Sequence, residues 1–392
     1  MDHTHVNRKL PFVNSPMNAK RFPMIDILRG LAALLVLFYH VIALRPWPDF
    51  PMEGLAKLPR MGWIGVDLFL VISGFVIAYT ALNSHAQRSP GRAWRQTFML
   101  RRLRRIAPLY LVTIGAFILF VSPGMLQHGW ATVMHVGTHL AFVHNLSAEY
   151  HGSLNAPNWS VGLEMQFYVL MVLITPWLAR NSPLKIYLLL ATIALGWRYG
   201  STQALPPGAA SPIVQFIYSS QLPGTLDEFA SGIVLAKLLR DGKLSFTRRK
   251  FAICTLMALL LLTVAWQNVP PETVYWNETA AIVFARTLLC AAFAFCVTCA
   301  ILWPFRAGVW SRPFRYVGEI SYGIYLWHFP VLLTLIARTQ LQGWPFLVAT
   351  VGGSLVLAAL SWHSFEKLLM RPNLQRADGL PLYKQDKQGK SN

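Results

Sequence analysis

Residues 25–40 read Ile25-Asp26-Ile27-Leu28-Arg29-Gly30-Leu31-Ala32-Ala33-Leu34-Leu35-Val36-Leu37-Phe38-Tyr39-His40. The apolar run that contains them extends to about residue 44 and is long enough to cross a bilayer as a helix. It nevertheless carries Asp26, Arg29 and His40. Ionisable groups at membrane depth are costly, and by default they mark function. Arg29 and His40 are close to three helical turns apart, so they share a face and lie roughly 16–17 Å apart along the axis. Asp26 stands three residues before Arg29 on that face, where the two can pair.

Working outward, the whole chain has this character. Of 392 residues, 54% are hydrophobic and 13% charged, with mean hydropathy +0.42. That is about half the ~25% charge of an average soluble protein. The composition excludes a soluble globular enzyme, a disordered tail protein and a collagen-like chain, and leaves an all-α, polytopic membrane bundle. About ten apolar segments read as spans: 25–44, 63–82, 106–122, 160–179, 185–200, 213–237, 250–267, 278–303, 316–337 and 345–366. Residues 128–147 form a shorter apolar stretch, expected to be interfacial or re-entrant. The expected organisation is a basic arm over 1–24, a membrane unit over 25–366 and a polar tail over 367–392. The first span follows a basic segment without a convincing small-residue cleavage site, and it is expected to be retained.

The net charge is +19, from 35 Lys and Arg against 16 Asp and Glu, with a pI near 10.1. In a soluble domain this would point to nucleic acid. Here the basic residues sit between apolar segments, so they are read as topology signals and contacts to anionic membrane lipids, with no nucleic-acid partner. Arg88, Arg92, Arg95, Arg101, Arg102, Arg104 and Arg105 follow span 2. Arg240, Lys243, Arg248, Arg249 and Lys250 follow span 6, and Arg306, Arg312 and Arg315 follow span 8. The intervening loops are poor in Lys and Arg. This alternation expects both termini in the cytoplasm. Cys254, Cys290, Cys296 and Cys299 lie in apolar runs and read as small buried hydrophobes.

Asp67 and Glu164 each stand about a turn into an inward-running span, which puts them at a depth similar to that of His40 near the outer face. A histidine with carboxylates at one level is a general-base arrangement. Each carboxylate alone is equally read as a structural interhelix hydrogen bond. His328 lies mid-span and reads as an imidazole bonded to a backbone carbonyl. His135 and His139 have the spacing of a metal pair, but no acid completes HExxH, and no metal is expected. The Arg101–Arg105 cluster reads either as topology signalling alone or as phosphate capture by guanidinium forks beside a helix N-terminus. No GxxxxGK[ST] or GxGxxG motif accompanies it.

Several of these stretches together resemble the acyltransferase 3 family of integral membrane acyltransferases, members of which O-acetylate bacterial surface glycans. Ile25–Ala32 through Tyr39-His40 resembles its first-helix signature. Gly65-Val66-Asp67-Leu68-Phe69 with Ser73-Gly74-Phe75 resembles its second. Arg101–Arg105 with Pro108-Leu109-Tyr110 is similar to its basic loop, and Trp159-Ser160 through Glu164 and Phe167-Tyr168 to its WS…E..FY motif. Ser321-Tyr322-Gly323-Ile324-Tyr325-Leu326-Trp327-His328 is similar to its late SYGxYLWH motif. Ile27 and Leu70 depart from the usual glycine and phenylalanine.

The resemblance implies acetyl-CoA, or another short acyl-CoA, as donor. Arg101, Arg102, Arg104 and Arg105 would hold its phosphates, and its pantetheine arm would pass Arg29. His40 would act as general base on a glycan or lipid-linked saccharide hydroxyl, oriented by Asp67 or Glu164. Tyr168 or Ser321 would be oxyanion donors. An acyl-imidazole on His40 is an alternative path. Some relatives carry an additional extracytoplasmic hydrolase-like domain. This chain is therefore expected to complete transfer alone or to pass the acyl group to a separate periplasmic protein. The expected location is a bacterial inner membrane. The competing class is a transporter or flippase of a sugar-containing substrate, which would also place charges at membrane depth.

Overall fold

The computed structural model describes residues 22–370 apart from 46, 52, 88–90, 209–210 and 306–307. The expected basic arm up to residue 21 and the expected tail from residue 371 lie outside the described residues, as do Arg88 and Arg306. Every element among the described residues is helical. In chain order the principal helices are α1 (Pro23–Leu44), α2 (Ile64–Gln87), α3 (Arg92–Ala116), α4 (Trp130–Leu140), α5 (Trp159–Arg180), α6 (Pro183–Ala204) and α7 (Pro212–Ser219). Then follow α8 (Leu226–Arg240), α9 (Arg248–Asn268), α10 (Arg286–Leu302), α11 (Arg312–Glu319), α12 (Ser321–Arg338) and α13 (Gly343–Ser361).

Each of the ten expected segments contains a helix. Seven helices among the described residues are long and apolar enough to cross a membrane, and the pair Val309–Glu319 and Ser321–Arg338, bent by 59°, makes an eighth if it is one broken span. The segments outside that set are 185–200 and 213–237. The first lies in α6, which carries Lys185 and Arg198. The second is broken into α7, a 3-10 turn over Leu222–Thr225, and α8, which carries Asp227 and Glu228. The third expected segment is also longer than its apolar part. Its helix starts at Arg92, so Arg101–Arg105 lie well inside α3. That corrects the expectation of a cluster beside a helix N-terminus.

Small residues let the helices approach closely, the usual basis of association where lipid replaces water as solvent. At the contact of α2 with α8, a Cβ on Gly232 would fall onto the Val71 carbonyl oxygen and the Phe75 backbone. Beside it, the rings of Phe167 and Phe229 stack at 3.7 Å. Gly318 of α11 lies directly against the Asp26 backbone of α1. The buried core runs through Val71, Phe75, Phe229 and Leu326. α9, in contrast, buries little beyond Ala258 and Ala265 and turns Leu256, Leu259 and Leu260 outward, as a lipid-facing perimeter helix does.

Candidate active site

His40 lies one turn before the end of α1. Its Nδ1 is 2.9 Å from the Val36 carbonyl oxygen and 3.1 Å from Nε2 of His328. The edge-on rings of Tyr39 and Phe329, at 5.0 and 5.3 Å, hold the imidazole from two sides. His328 is fully buried, and its Nδ1 is 2.6 Å from the Tyr325 carbonyl oxygen, as the sequence reading expects. α12 is irregular here for a simple reason. Pro330 has no N–H, so the Leu326 carbonyl lacks its helical donor. Asn155 supplies one instead, with its side-chain amide 3.0 Å away.

Three cavities are strung through the bundle. An outer chamber of about 640 Å³ is lined by His40, Trp63, Asp67, Trp159, Trp276 and Arg286, with Glu149 and Glu272 also on its wall. Tyr39 donates a hydrogen bond to Glu272 there. A narrow middle chamber of about 90 Å³ is lined by Arg29, Ser73, Arg102, Glu164, Tyr168 and Tyr322. An inner one of about 230 Å³ is lined by Arg101, Arg102, Arg104 and Arg105. Arg102 and Arg105 belong to both the inner and the middle chamber, and Val66 and Tyr325 to both the middle and the outer. Arg29 and His40, on one helix, thus face successive chambers.

The carboxylates are distributed differently from the sequence expectation. Neither Asp67 nor Glu164 is hydrogen-bonded to His40, whose Nδ1 meets Val36 and His328 instead. Asp67 shares the outer chamber with it but pairs with Arg286, whose Nε is 3.7 Å from Oδ1. Glu164 is one chamber further in, where Ser73 and Tyr168 donate to its Oε1 at 3.2 and 2.7 Å. The reason is that α5 starts within the bundle. The stretch before it is buried at His144, Asn145, Asn155 and Asn158, and Asn155 is tied to α12 only two residues from His328. Glu164 then lies roughly 9 Å further along the axis from Asn158.

The two expected oxyanion donors are also placed elsewhere. Tyr168 lies in the middle chamber under the Arg102 guanidinium, which also covers Phe98. Ser321 is fully buried and lines none of the three chambers. The side chain that divides middle from outer chamber is Tyr325, whose hydroxyl donates to the Pro157 carbonyl at 2.9 Å and lies 2.7 Å from Ser160 Oγ.

Sequence reasoning passed over a buried ionic cluster behind Asp67. Arg198 and Asp227, both without exposed surface, form a two-pronged pair at 2.7 and 3.3 Å, and Thr287 donates to the same carboxylate at 2.7 Å. Arg286 lies 3.9 Å from Glu228 as well as beside Asp67. The signal was present, because Asp227, Glu228 and Arg286 fall inside expected spans and meet the same criterion that singled out Arg29. The π-helical turn Ala281–Ala285 immediately before Arg286 adds a residue to the helical register, a device common at functional sites.

Outside the spans, the rings of His139 and His144 stack at 3.9 Å. Burial pushes the His144 imidazole down to about 3, and His139 and His151 down to about 4. Among the described residues no group of three His, Cys, Asp or Glu side chains could hold a metal ion.

Comparison with known proteins bears on this geometry. No solved structure matches the chain. It is 26% identical over 373 residues to the peptidoglycan O-acetyltransferase OatA of Listeria monocytogenes, covering 88% of this chain and 55% of that protein, so it spans about half of that relative's length. It is 27% identical over 334 residues to the acyltransferase MdmB of Streptomyces mycarofaciens, covering 81% of this chain and 80% of that one. The acyltransferase 3 family profile, described as an acyltransferase domain, matches residues 22–363, a stretch that contains all three chambers except the inner rim at Leu369 and Met370. A helical, multi-pass membrane protein with His40 on a cavity wall, this chain belongs to the acyltransferase 3 family and is an acyl-transferring enzyme.

Proposed function

We propose that the chain moves an acetyl or other short acyl group from acyl-CoA to a hydroxyl of a cell-surface or exported glycan. The observation that carries this reading is the string of chambers from the arginine-rich inner rim to His40, joined through Arg102, Arg105, Val66 and Tyr325. Arg101, Arg102, Arg104 and Arg105 offer guanidinium forks suited to the donor's phosphates. Ser73, Ser160, Glu164 and Tyr168 offer hydrogen bonds to the amides of a pantetheine arm passing Arg29. The aromatic walls of the outer chamber suit the faces of sugar rings. The name of the Listeria relative supports peptidoglycan or a similar polysaccharide as acceptor.

In the reaction His40 removes the proton of the acceptor hydroxyl as its oxygen attacks the thioester carbonyl. The tetrahedral intermediate collapses with cleavage of the C–S bond, and the imidazolium returns the proton to the departing thiolate. The topology proposed with it has about ten crossings in a bacterial inner membrane. Both termini and the arginine rim face the cytoplasm, and residues 25–366 form the membrane unit. The acyl group passes directly to the glycan or by way of a separate periplasmic protein.

Purified protein in liposomes, given acetyl-CoA and a glycan acceptor, should release free thiol in proportion to acylated product. His40→Ala should bind acetyl-CoA as the unsubstituted protein does and transfer at less than about 1% of its rate. Full transfer by that variant would remove His40 from the mechanism.

A further inference from the structure

A histidine can serve as general base through only one ring nitrogen at a time, and the hydrogen bond at the other nitrogen selects which. His328 has its Nδ1 2.6 Å from the Tyr325 carbonyl, an oxygen that can only accept, so Nδ1 carries the hydrogen. Its Nε2 is then a lone pair, and it faces His40 Nδ1 at 3.1 Å. The second neighbour of His40 Nδ1, the Val36 carbonyl at 2.9 Å, also only accepts. Both contacts therefore demand a hydrogen on His40 Nδ1. The rings of Tyr39 and Phe329 flank the imidazole edge-on at 5.0 and 5.3 Å.

From this chain of contacts we infer that His328 is a positioning residue, which holds His40 in the Nδ1–H tautomer so that Nε2 is the atom that takes the acceptor's proton. His328 touches no chamber. It acts through His40 in two ways. It fixes the tautomer before reaction, and its lone pair accepts from the imidazolium while His40 carries the transferred proton. The task assigned to a carboxylate in the sequence reading is thus performed by a second, neutral imidazole. This inference rests on the proposed role of His40 as base.

Two measurements test it, one independent of turnover. In protein labelled with ¹⁵N-histidine, the His40 resonances, identified as those lost in His40→Ala, should show a protonated Nδ1 and an unprotonated Nε2. In His328→Phe, which keeps bulk but leaves the Val36 carbonyl as the one remaining acceptor for Nδ1–H, the share protonated at Nε2 should rise measurably above that of the unsubstituted protein. In the transfer assay, His328→Phe should lower kcat about 100-fold or more while the KM for acetyl-CoA stays within about twofold, as expected when an imidazole loses the group that orients it. His328→Gln, whose side-chain oxygen can accept from His40 Nδ1, should recover at least about tenfold of that loss. A His40 protonated at Nε2 in the unsubstituted protein would overturn the inference, as would full kcat in His328→Phe. Should His40→Ala itself transfer normally, the role of His40 as base falls, while the resonances still decide whether His328 sets its tautomer.

Discussion

Arg198 is a guanidinium with no exposed surface, and its charge is balanced by Asp227. Removing one member of such a pair leaves the other uncompensated in a low-dielectric interior, at a cost of about 3–5 kcal/mol. Arg198→Met should therefore lower the midpoint of thermal unfolding in detergent markedly. Adding Asp227→Leu should restore much of it, because the charge left behind is then gone too. No recovery in the double variant would mean that Thr287 and the Glu228 amide, which also bond this carboxylate, matter more than its charge. At this scale the sequence was legible wherever an ionisable residue interrupts an apolar run. Arg29 and His40 are found that way, and the structure puts both on chamber walls. What a one-dimensional pattern lacks is partnership. Asp67 and Glu164 share a predicted depth with His40, but only three-dimensional packing shows that Arg286 takes one and Ser73 with Tyr168 the other.

Among the elements, the stretch from α4 to the start of α5 is only partly helical and reaches the wall of the outer chamber. His139 and His144 are stacked and buried within it, and His151 lies on the outer chamber wall. Their folded-state values of about 4, 3 and 4 lie below the ordinary 6.5. Between those limits the unfolded segment binds more protons than the folded one, so stability falls as pH falls. The contribution is fully present above about 6.5 and is lost progressively toward 4 and then 3. Amide exchange in residues 130–158 should accelerate on acidification from pH 7 to 4 well before exchange in α2 or α8 does. Equal acceleration across all three would show that the imidazoles do not govern this stretch. The apolar pattern of 128–147 did suggest something other than a full span. The descent of residues 144–158 into the bundle was not readable, because Asn145, Asn155 and Asn158 look like loop residues until their hydrogen-bond partners are known.

For the whole molecule, composition alone specified an all-helical membrane bundle, and the apolar runs placed most helices to within a few residues. The broken path through α7 and α8 was less visible, since apolar content does not register where a helix stops and restarts. The connectivity of the chambers has a consequence for turnover. Val66 lies where the middle and outer chambers meet. On the proposed acyl-CoA route, Val66→Trp should leave donor binding within about twofold yet reduce transfer about 100-fold or more, as misplacement of a reacting group by even an ångström can. Unchanged transfer would mean that the acyl group reaches His40 by another route. A last consequence concerns Pro330. Its missing N–H leaves the Leu326 carbonyl to Asn155, and within the same turn the Tyr325 carbonyl holds His328. A substitution that made this turn an ordinary helix would strengthen α12 and, by reclaiming that oxygen, loosen the tie of Asn155 and its buried neighbours to α12 beside His328. Local helical perfection and the anchoring of Asn155 are here competing uses of the same backbone oxygen.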